Sequence, residues 1–511
     1  MEWWSGRSEK EQTGPDGYTN FMGCGVIRLE QTFRMKKDRN ADPGRSSSSL
    51  GWIWLAIGLC VFIVLLALLG VGRGTPPGSK RFVRGDVSNG SSPNQTGVSA
   101  TVRSGAAWAP APTAEEIVTS KVSEFARNRR RIVRAIGRRI NKSVPPEIER
   151  FFAAVETGKW EEIEVQWKSL AQQSGQYENS ANRREDLDPF WPAVLDAYGV
   201  AEQAHLWPAQ RLLDYGNAVL DSLRPGMVYV GGTDYGRWIP ELLNETSGGE
   251  QHIIVTQNAL ADSRYLDFVN TLYSDRMSTL TPEDSQAAFQ AYVSDAQKRL
   301  EHDQQFPDQP KQVRPGEDIL MVDGKVQVGG QVSVMAINEK LLQGIMAKNP
   351  DLSFAIQESI PLKGTYSDAL PLGPLMELGA QSGQGSFTVE RAAESLQYWQ
   401  TTAQQVLADP EATGSPEALK SYSHDVVASA NLLAAHDFNG EAEQAYRLAQ
   451  QLCPYNPEPV SGLADVLVGT GREMEARQLL QDFADKYPNQ KKDLERISTY
   501  WRAIASAETT R

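Results

Sequence analysis

One uninterrupted apolar segment limits what the start of this 511-residue chain can become. No charged residue occurs between Arg45 and Arg73, and residues 52–71 (WIWLAIGLCVFIVLLALLGV) are almost wholly apolar. A helix of this length rises about 30 Å, which matches the hydrocarbon core of a bilayer. Trp52 and Trp54 lie at one end, where indole rings favour the membrane interface. The segment therefore predicts a single transmembrane helix, a signal anchor through which the chain contacts a membrane.

Two alternatives fit this segment less well. A helix packed on the core of a globular protein normally keeps a polar face, and residues 52–71 have none. A cleavable signal peptide has a shorter apolar run of about 7–15 residues and a small-residue cleavage site, which GVGRGTPPG lacks. Lys and Arg number five in the preceding stretch and four in the following one, so the bias favours a cytoplasmic N-terminus. We expect an inner (cytoplasmic) membrane protein with an extracytoplasmic, periplasmic domain, and the start stays open between Met1 and Met35.

Charge is divided unevenly along the chain. Residues 1–144 hold 22 Lys and Arg against 11 Asp and Glu, and the remainder holds 29 against 53. Because nucleic-acid binding depends on basic side chains, the acidic remainder argues against a nucleic-acid partner. Cys453 is the sole cysteine after the apolar segment, which excludes an internal disulfide there. The histidines have no metal-ligand spacing, so no metal is predicted. No cofactor is predicted either, because the chain has neither the dinucleotide fingerprint nor a P-loop lysine.

A basic helix is predicted after a Gly-, Ser- and Pro-rich tether. Glu115 and Glu116 open the helix, and apolar residues follow at helical spacing. From Arg127 to Lys142 there are eight basic residues and no acidic one. Such a face suits anionic lipid, or it is a solvated face that the acidic domain neutralises. Both interpretations stay open at this stage.

The pattern changes to α/β after Arg224. Two segments each contain a short apolar run, a turn and a helix: PGMVYVGGTDYGRWIPELLNE and QHIIVTQNALADSRYLDFVNTLY. Consecutive strand-turn-helix units predict a parallel, Rossmann-like sheet covered by helices. ILMVDGKVQV predicts a hairpin that turns at Asp323 and Gly324, and LSFAIQES and GPLMEL predict further strands.

A 34-residue spacing relates two stretches near the C-terminus. Small residues recur where helices would touch closely, a larger residue lies between them, and a proline follows, as in tetratricopeptide repeats. Two repeats are too few for a free-standing array, so we expect them to pack against the α/β domain or a preceding helix. Such repeats usually bind a protein partner. The first set of positions is Ala442, Tyr446, Ala449 and Pro454, and the second is Ala476, Leu480, Phe483 and Pro488.

These patterns together predict the organisation of the whole chain. The fold class is a single transmembrane helix plus a parallel-sheet α/β domain flanked by α-helical and tetratricopeptide-like helices. The predicted parts are a disordered tail (1–50), the transmembrane helix (51–72), a flexible linker (73–112), the basic helix (113–145), a helical region (146–223), the α/β domain (224–380), a helical connector (381–420), two tetratricopeptide-like repeats (421–491) and a C-terminal helix (492–511).

Three stretches carry a resemblance to a known family. They are LRPGMVYVGGTDYGRWIPELL with IIVTQNALADSRYLDFVNTLY, then VQVGGQVSVMAINEKLL, then QESIPL with GPLMEL. Over residues 146–490 the chain resembles the extracytoplasmic C-terminal region, with tetratricopeptide repeats, of an uncharacterised family of bacterial glycosyltransferase-like membrane proteins. The multi-span, transferase-like part of that family is absent here. The resemblance therefore implies the fold and an outward-facing domain, and it implies no activity.

A ligand site is predicted at the carboxyl edge of the parallel strands, where α/β sheets bind ligands. Glycines there would let a ligand approach the backbone, and a helix N-terminus attracts phosphate or carboxylate. The alternative is that these polar residues only cap helices and satisfy turn amides. The candidate ligand-binding residues are Thr233, Asp234 and Arg237 after the first strand, and Gln257, Asn258 and Asp262 after the second.

No catalytic residues are predicted, because no nucleophile elbow or Cys/His arrangement occurs. Whether the protein is an enzyme stays open, and the sequence favours a protein without catalytic activity. We expect a membrane-anchored extracytoplasmic interaction or scaffold protein of the bacterial envelope. The alternative is a sugar- or nucleotide-sugar-binding accessory domain for glycosyl transfer.

Overall fold

Helices make up most of the structure. The computed structural model describes residues 111–174, 184–232, 235–314, 317–322, 325–357, 366–379 and 386–498. Within these ranges a helical region precedes the first strand. Its helices are α1 (Ala114–Arg139), α2 (Pro146–Thr157), α3 (Trp160–Ala171), α4 (Trp191–Leu206) and α5 (Ala209–Asp221).

Helix α1 has strong local signals at both ends. Thr113 and Glu116 form a capping box, in which each side chain accepts a hydrogen bond from the other residue's backbone N–H. Arg138 and Arg139 lie in the last turn, where positive charge is favourable. Its buried face, which includes Phe125, packs against α2 and α4. The helix is therefore fixed by its caps and by burial together.

Seven strands in the described ranges form two sheets. One sheet is a separate two-stranded hairpin of β3 and β4, and the predicted turn residues Asp323 and Gly324 lie outside the described residues. The strands are β1 (Val228–Gly231), β2 (Ile253–Thr256), β3 (Asp318–Val322), β4 (Lys325–Gly329), β5 (Phe354–Ile356), β6 (Leu370–Leu372) and β7 (Leu375–Leu378).

The main sheet is mixed, so the predicted parallel, Rossmann-like α/β fold is wrong. Its strand order is β2-β1-β5-β7-β6. Strand β1 pairs in parallel with β2 and β5, whereas β7 pairs antiparallel with β5 and β6. Strands β6 and β7 are joined by a two-residue turn at which Gly373 has a φ of 58°, and so short a connection permits only antiparallel pairing. Helical residues also outnumber strand residues in this part of the chain.

The two faces of the main sheet belong to different hydrophobic cores. Side chains alternate along a strand, so neighbouring residues of β1 point in opposite directions. Val228 and Val230 pack in a core that extends to the C-terminal helices, and Tyr229 packs in a core with the N-terminal helices. The helices between and beside the strands are α6 (Tyr235–Glu245), α7 (Ser263–Tyr273), α8 (Pro282–Gln305) and α9 (Gln331–Lys348).

The C-terminal part consists of helices. Helices joined by short turns pack against each other as pairs. The helices are α10 (Val389–Ala408), α11 (Pro410–Thr413), α12 (Pro416–Ala435), α13 (Asn439–Leu452), α14 (Pro457–Gly469), α15 (Glu473–Lys486) and α16 (Lys491–Ile497). Helices α13 and α15 occupy the two stretches related by the 34-residue spacing. Ala442 and Ala476, the equivalent small residues, are both fully buried. The first helix, α12, packs against α13, α14 and strand β6, so the helix pairs are built onto the rest of the chain.

The predicted transmembrane helix, residues 52–71, lies outside the described residues. Among the helices that the structure describes, none combines the length and the apolar character that crossing a bilayer requires.

Candidate functional site

The carboxyl ends of β1, β2 and β5 meet at one edge of the main sheet, because these three strands are parallel. Strand β1 lies between the other two, and the carboxyl edge of parallel strands is where α/β sheets bind ligands. Thr233 and Asp234 lie outside the described residues. A Cβ at Gly231 would lie 2.9 Å from the Gly236 carbonyl oxygen, which shows that β1 and α6 are tightly packed there.

Arg237 is not available to a ligand at this edge. Its side chain is 6% exposed and forms an ion pair with the buried carboxylate of Asp196 from α4. The guanidinium also lies 5.2 Å from the centroid of the Tyr265 ring, at cation–π distance. A charge buried in this way is held by internal partners, so Arg237 is part of the scaffold.

Asp262 and the predicted amides have different roles. Asp262 caps helix α7, because its carboxylate accepts a hydrogen bond from the Arg264 N–H at 2.9 Å and pairs with the Arg264 guanidinium. Gln257 is completely buried, and neither its amide nitrogen nor its amide oxygen has a hydrogen-bond partner. The side-chain oxygen of Asn258 also lacks a partner. Of the predicted residues that the structure describes, only these two amides have unused hydrogen-bonding capacity.

A second buried arginine, Arg129 of α1, forms ion pairs with three carboxylates. Its Nε lies 3.2 Å from Asp196 and one terminal nitrogen lies 2.7 Å from Glu241, while the other pairs with Glu245. Burial raises the pKa of Glu241 to about 7; Asp196 adds to this effect, and Arg129 opposes it. Sequence reasoning placed Arg129 on the basic face, although it follows Phe125 by one helical turn and so falls on the apolar stripe.

The rest of the basic face is also partly neutralised. Arg130 pairs with Glu149 and Glu156, and Arg134 pairs with Glu149, all from helix α2. These carboxylates support the interpretation in which the acidic domain neutralises this helix. Arg130 and Arg134 are therefore less available to bind anionic lipid.

A cavity of about 270 Å³ lies where α5, α10 and α12 meet, next to the β6–β7 turn. We call it the Asp425 cavity. Asp425 projects from α12 and is 1% exposed. Its carboxylate accepts hydrogen bonds from the Tyr215 hydroxyl at 3.0 Å, the Gln357 amide nitrogen at 2.8 Å and the Tyr235 hydroxyl at 3.3 Å. Burial raises the pKa of Asp425 to about 7, and His424 and these donors act in the opposite direction.

Aromatic rings form much of the wall of the Asp425 cavity. The rings of Tyr215 and Tyr422 meet edge to face with centroids 5.5 Å apart. Tyr398 and Trp399 of α10 also line the cavity, and the indole N–H of Trp399 is buried without an acceptor. The lining also includes charged side chains that are not fully buried. Among them, Arg211 pairs with Asp214 at 3.1 Å and with Asp409 at 2.7 Å.

Sequence reasoning missed this cavity. Its signal in the sequence is faint: Ser421, Asp425 and Ser429 recur every four residues, which puts a polar stripe on one face of α12. All three residues are buried. A polar stripe inside an apolar helix indicates a buried polar network, but the partners Tyr215 and Gln357 are distant in sequence and cannot be inferred from it.

The fold and the cavity together define a mostly helical protein with a small mixed sheet and C-terminal helix pairs. In comparisons with family models, curated proteins and solved structures, no match to this chain was found. The family resemblance of residues 146–490 therefore stays a prediction. The parts of the chain that the structure describes hold no group of His, Cys, Asp or Glu side chains arranged for a metal ion.

Proposed function

We propose that this protein is a non-catalytic interaction protein, attached to a membrane through residues 52–71, whose C-terminal helix pairs hold a partner protein. The observation that carries the proposal is the arrangement of these pairs. The first helix, α12, is packed against the body of the chain through Asp425 and Tyr422. Helix α13 also packs against α10, whereas one side of α15 is exposed, and helix pairs of this kind commonly present such surfaces to proteins.

The outer surface of α15 has a specific anchor for a partner. Met474 is 83% exposed, more than any other large apolar side chain among the described residues. Gln478, one turn later, is also exposed. Charged side chains surround them, and Arg472 links Glu443 of α13 to Glu475 of α15. An exposed apolar side chain ringed by polar groups is the usual composition of a protein contact.

Site-specific photo-crosslinking in native membranes tests this proposal. A photoreactive residue at position 478 should give a discrete adduct, and Met474→Glu should reduce its yield about tenfold if Met474 is a hot spot worth more than about 1.4 kcal/mol. Val165 of α3 is the matched control position, since it is also apolar and 63% exposed. The same adduct from positions 165 and 478, or no adduct at 478, would contradict the proposal.

A second candidate function is sugar binding at the carboxyl edge of the main sheet. It is supported by the unpartnered side-chain amide of Gln257 and the unpartnered side-chain oxygen of Asn258, since a buried polar group without a partner is costly. An uncharged sugar suits this edge better than a nucleotide-sugar, because Arg237 already pairs with Asp196. Binding to a glycan array that disappears in Gln257→Met, and not in Gln478→Met, would favour this candidate. A wild-type protein that retains no glycan would remove it.

A further inference from the structure

The Asp425 cavity combines features that together select a ligand charge. Its carboxylate is buried and lies beside aromatic rings. Three carboxylates line the cavity, those of Asp214, Asp409 and Asp425, and they are opposed by the single guanidinium of Arg211. The local balance is therefore negative when Asp425 is ionised. Such surroundings repel an anion and favour a cation.

The aromatic rings add a second preference for a cation. Tyr215 and Tyr422 line the same cavity as Asp425, and ring faces attract ammonium groups most strongly where water is excluded. The hydroxyl of Tyr215 is already bound to the carboxylate, which orients its ring. The indole N–H of Trp399, another lining residue, lacks an acceptor, so it is a free donor for an oxygen atom of a ligand.

The size of the cavity limits the ligand. At about 270 Å³ it is just below the roughly 300–1,000 Å³ of sites for drug-sized molecules. A molecule with one ring or a short chain fits this volume, whereas a nucleotide-sugar or a folded peptide does not. Because α5, α10 and α12 all contribute, the cavity exists only when the C-terminal helices are docked on the N-terminal region.

We propose that the Asp425 cavity binds a small organic cation, an amine whose ammonium group contacts the Asp425 carboxylate beside the rings of Tyr215 and Tyr422. Binding there is independent of the partner surface on α15. It would hold α12 against α5 and α10, because the ligand would contact all three helices. The charge of the ligand, and not its apolar part, should then decide affinity.

Three probes of nearly equal shape test the charge preference on the full-length protein: benzylammonium, benzyl alcohol and benzoate. Titrations are followed by saturation-transfer NMR of the probe at about pH 8, where Asp425 is mostly ionised. We expect saturable binding of benzylammonium. Benzyl alcohol and benzoate should bind at least about tenfold more weakly, since a charged hydrogen bond is worth about 1.4 kcal/mol or more. Equal binding of benzylammonium and benzyl alcohol would overturn the proposal, and so would no saturable binding of benzylammonium.

Variants then locate the probe. Asp425→Asn should weaken benzylammonium at least about tenfold, and Asp482→Asn, a change at an exposed aspartate of α15, should leave its affinity unchanged. Unchanged binding by folded Asp425→Asn protein would place the probe elsewhere and overturn the proposal. If Asp425→Asn does not fold, Tyr422→Leu takes its place, with an expected loss of about threefold or more. Full affinity in Tyr422→Leu would then count against the site.

Discussion

Asp425 brings a carboxylate into a part of the molecule where ionisation is costly. Three donors bind it, but burial still raises its pKa from the ordinary 3.8 to about 7. Tyr215 and Tyr235 face it from α5 and α6, and His424 is its neighbour on α12. Because the folded-state pKa is above the unfolded value, the unfolded chain releases this proton first as pH rises. The contribution of Asp425 to stability is therefore present below about pH 4 and is lost as pH approaches about 7.

This argument predicts the pH dependence of one variant. Asp425→Asn cannot ionise, so its free energy of unfolding relative to wild type should rise between about pH 5 and about pH 8, by an amount on the order of 1–3 kcal/mol. Denaturant unfolding of both proteins at several pH values measures the difference. Asp482→Asn is the control, because its carboxylate is exposed. A difference that does not change with pH would show that Asp425 is ionised in the folded protein throughout.

Arg129 presents the opposite case, a buried cation among carboxylates. Removing it takes a buried ion-pair partner from both Asp196 and Glu241, so Arg129→Met should lower the free energy of unfolding by about 3–5 kcal/mol near neutral pH. The exposed Arg131, two residues away, is the matched control, and Arg131→Met should change stability by less than about 0.5 kcal/mol. Similar small losses in both variants, measured by denaturant unfolding, would mean that the Arg129 cluster contributes little.

At the scale of elements, the C-terminal pairs depend on close helix contacts. A Cβ at Gly462 of α14 would lie 2.4 Å from the ring of Tyr446 on α13. Tyr446 is held in place, because it is 3% exposed and its hydroxyl donates to Asn431 at 2.6 Å. Gly462→Ala should therefore force α13 and α14 apart and lower stability by about 1–3 kcal/mol.

The control for this substitution is Gly440 of α13, where an added Cβ would meet nothing within 4 Å. Gly440→Ala should be neutral or stabilise the protein by up to about 1 kcal/mol, since alanine restricts the unfolded chain. Thermal unfolding of the two variants compares them directly. A Gly462→Ala protein as stable as wild type would show that α13 and α14 can adjust without cost.

The sequence was informative about single elements and uninformative about how they pair. The apolar runs before Gly-Gly and before Thr-Gln-Asn located β1 and β2, because a short apolar run followed by a turn is a local signal. The direction of β7 against β5 depends on a contact between segments about twenty residues apart, and it is not encoded in either segment alone. The same limit applies to the site: Asp425 meets Tyr215, 210 residues earlier in the chain.

For the whole molecule, the two hydrophobic cores share the strands of one sheet. Tyr229 belongs to the core of the N-terminal helices, and Val228 and Val230 belong to the core that reaches α12–α15. Ala418 of α12 lies in the N-terminal core as well. The C-terminal helix pairs are therefore part of the same folding unit as the sheet, which explains how two helix pairs are stable without a longer array.

The location of the protein gives the last prediction. If residues 52–71 anchor the chain with its N-terminus in the cytoplasm, the following linker is exposed on the outer side, where Arg73, Lys80 and Arg81 are sites for trypsin. Trypsin added to intact spheroplasts should therefore remove the folded region from the membrane fraction. A cytoplasmic marker protein that stays intact is the control for leakage, and lysed spheroplasts show complete digestion.

Protection of the chain until lysis would reverse the orientation, since the charge bias around residues 52–71 is only five basic residues against four. Release of the intact chain by carbonate washing, without protease, would instead show that residues 52–71 do not hold it in the bilayer.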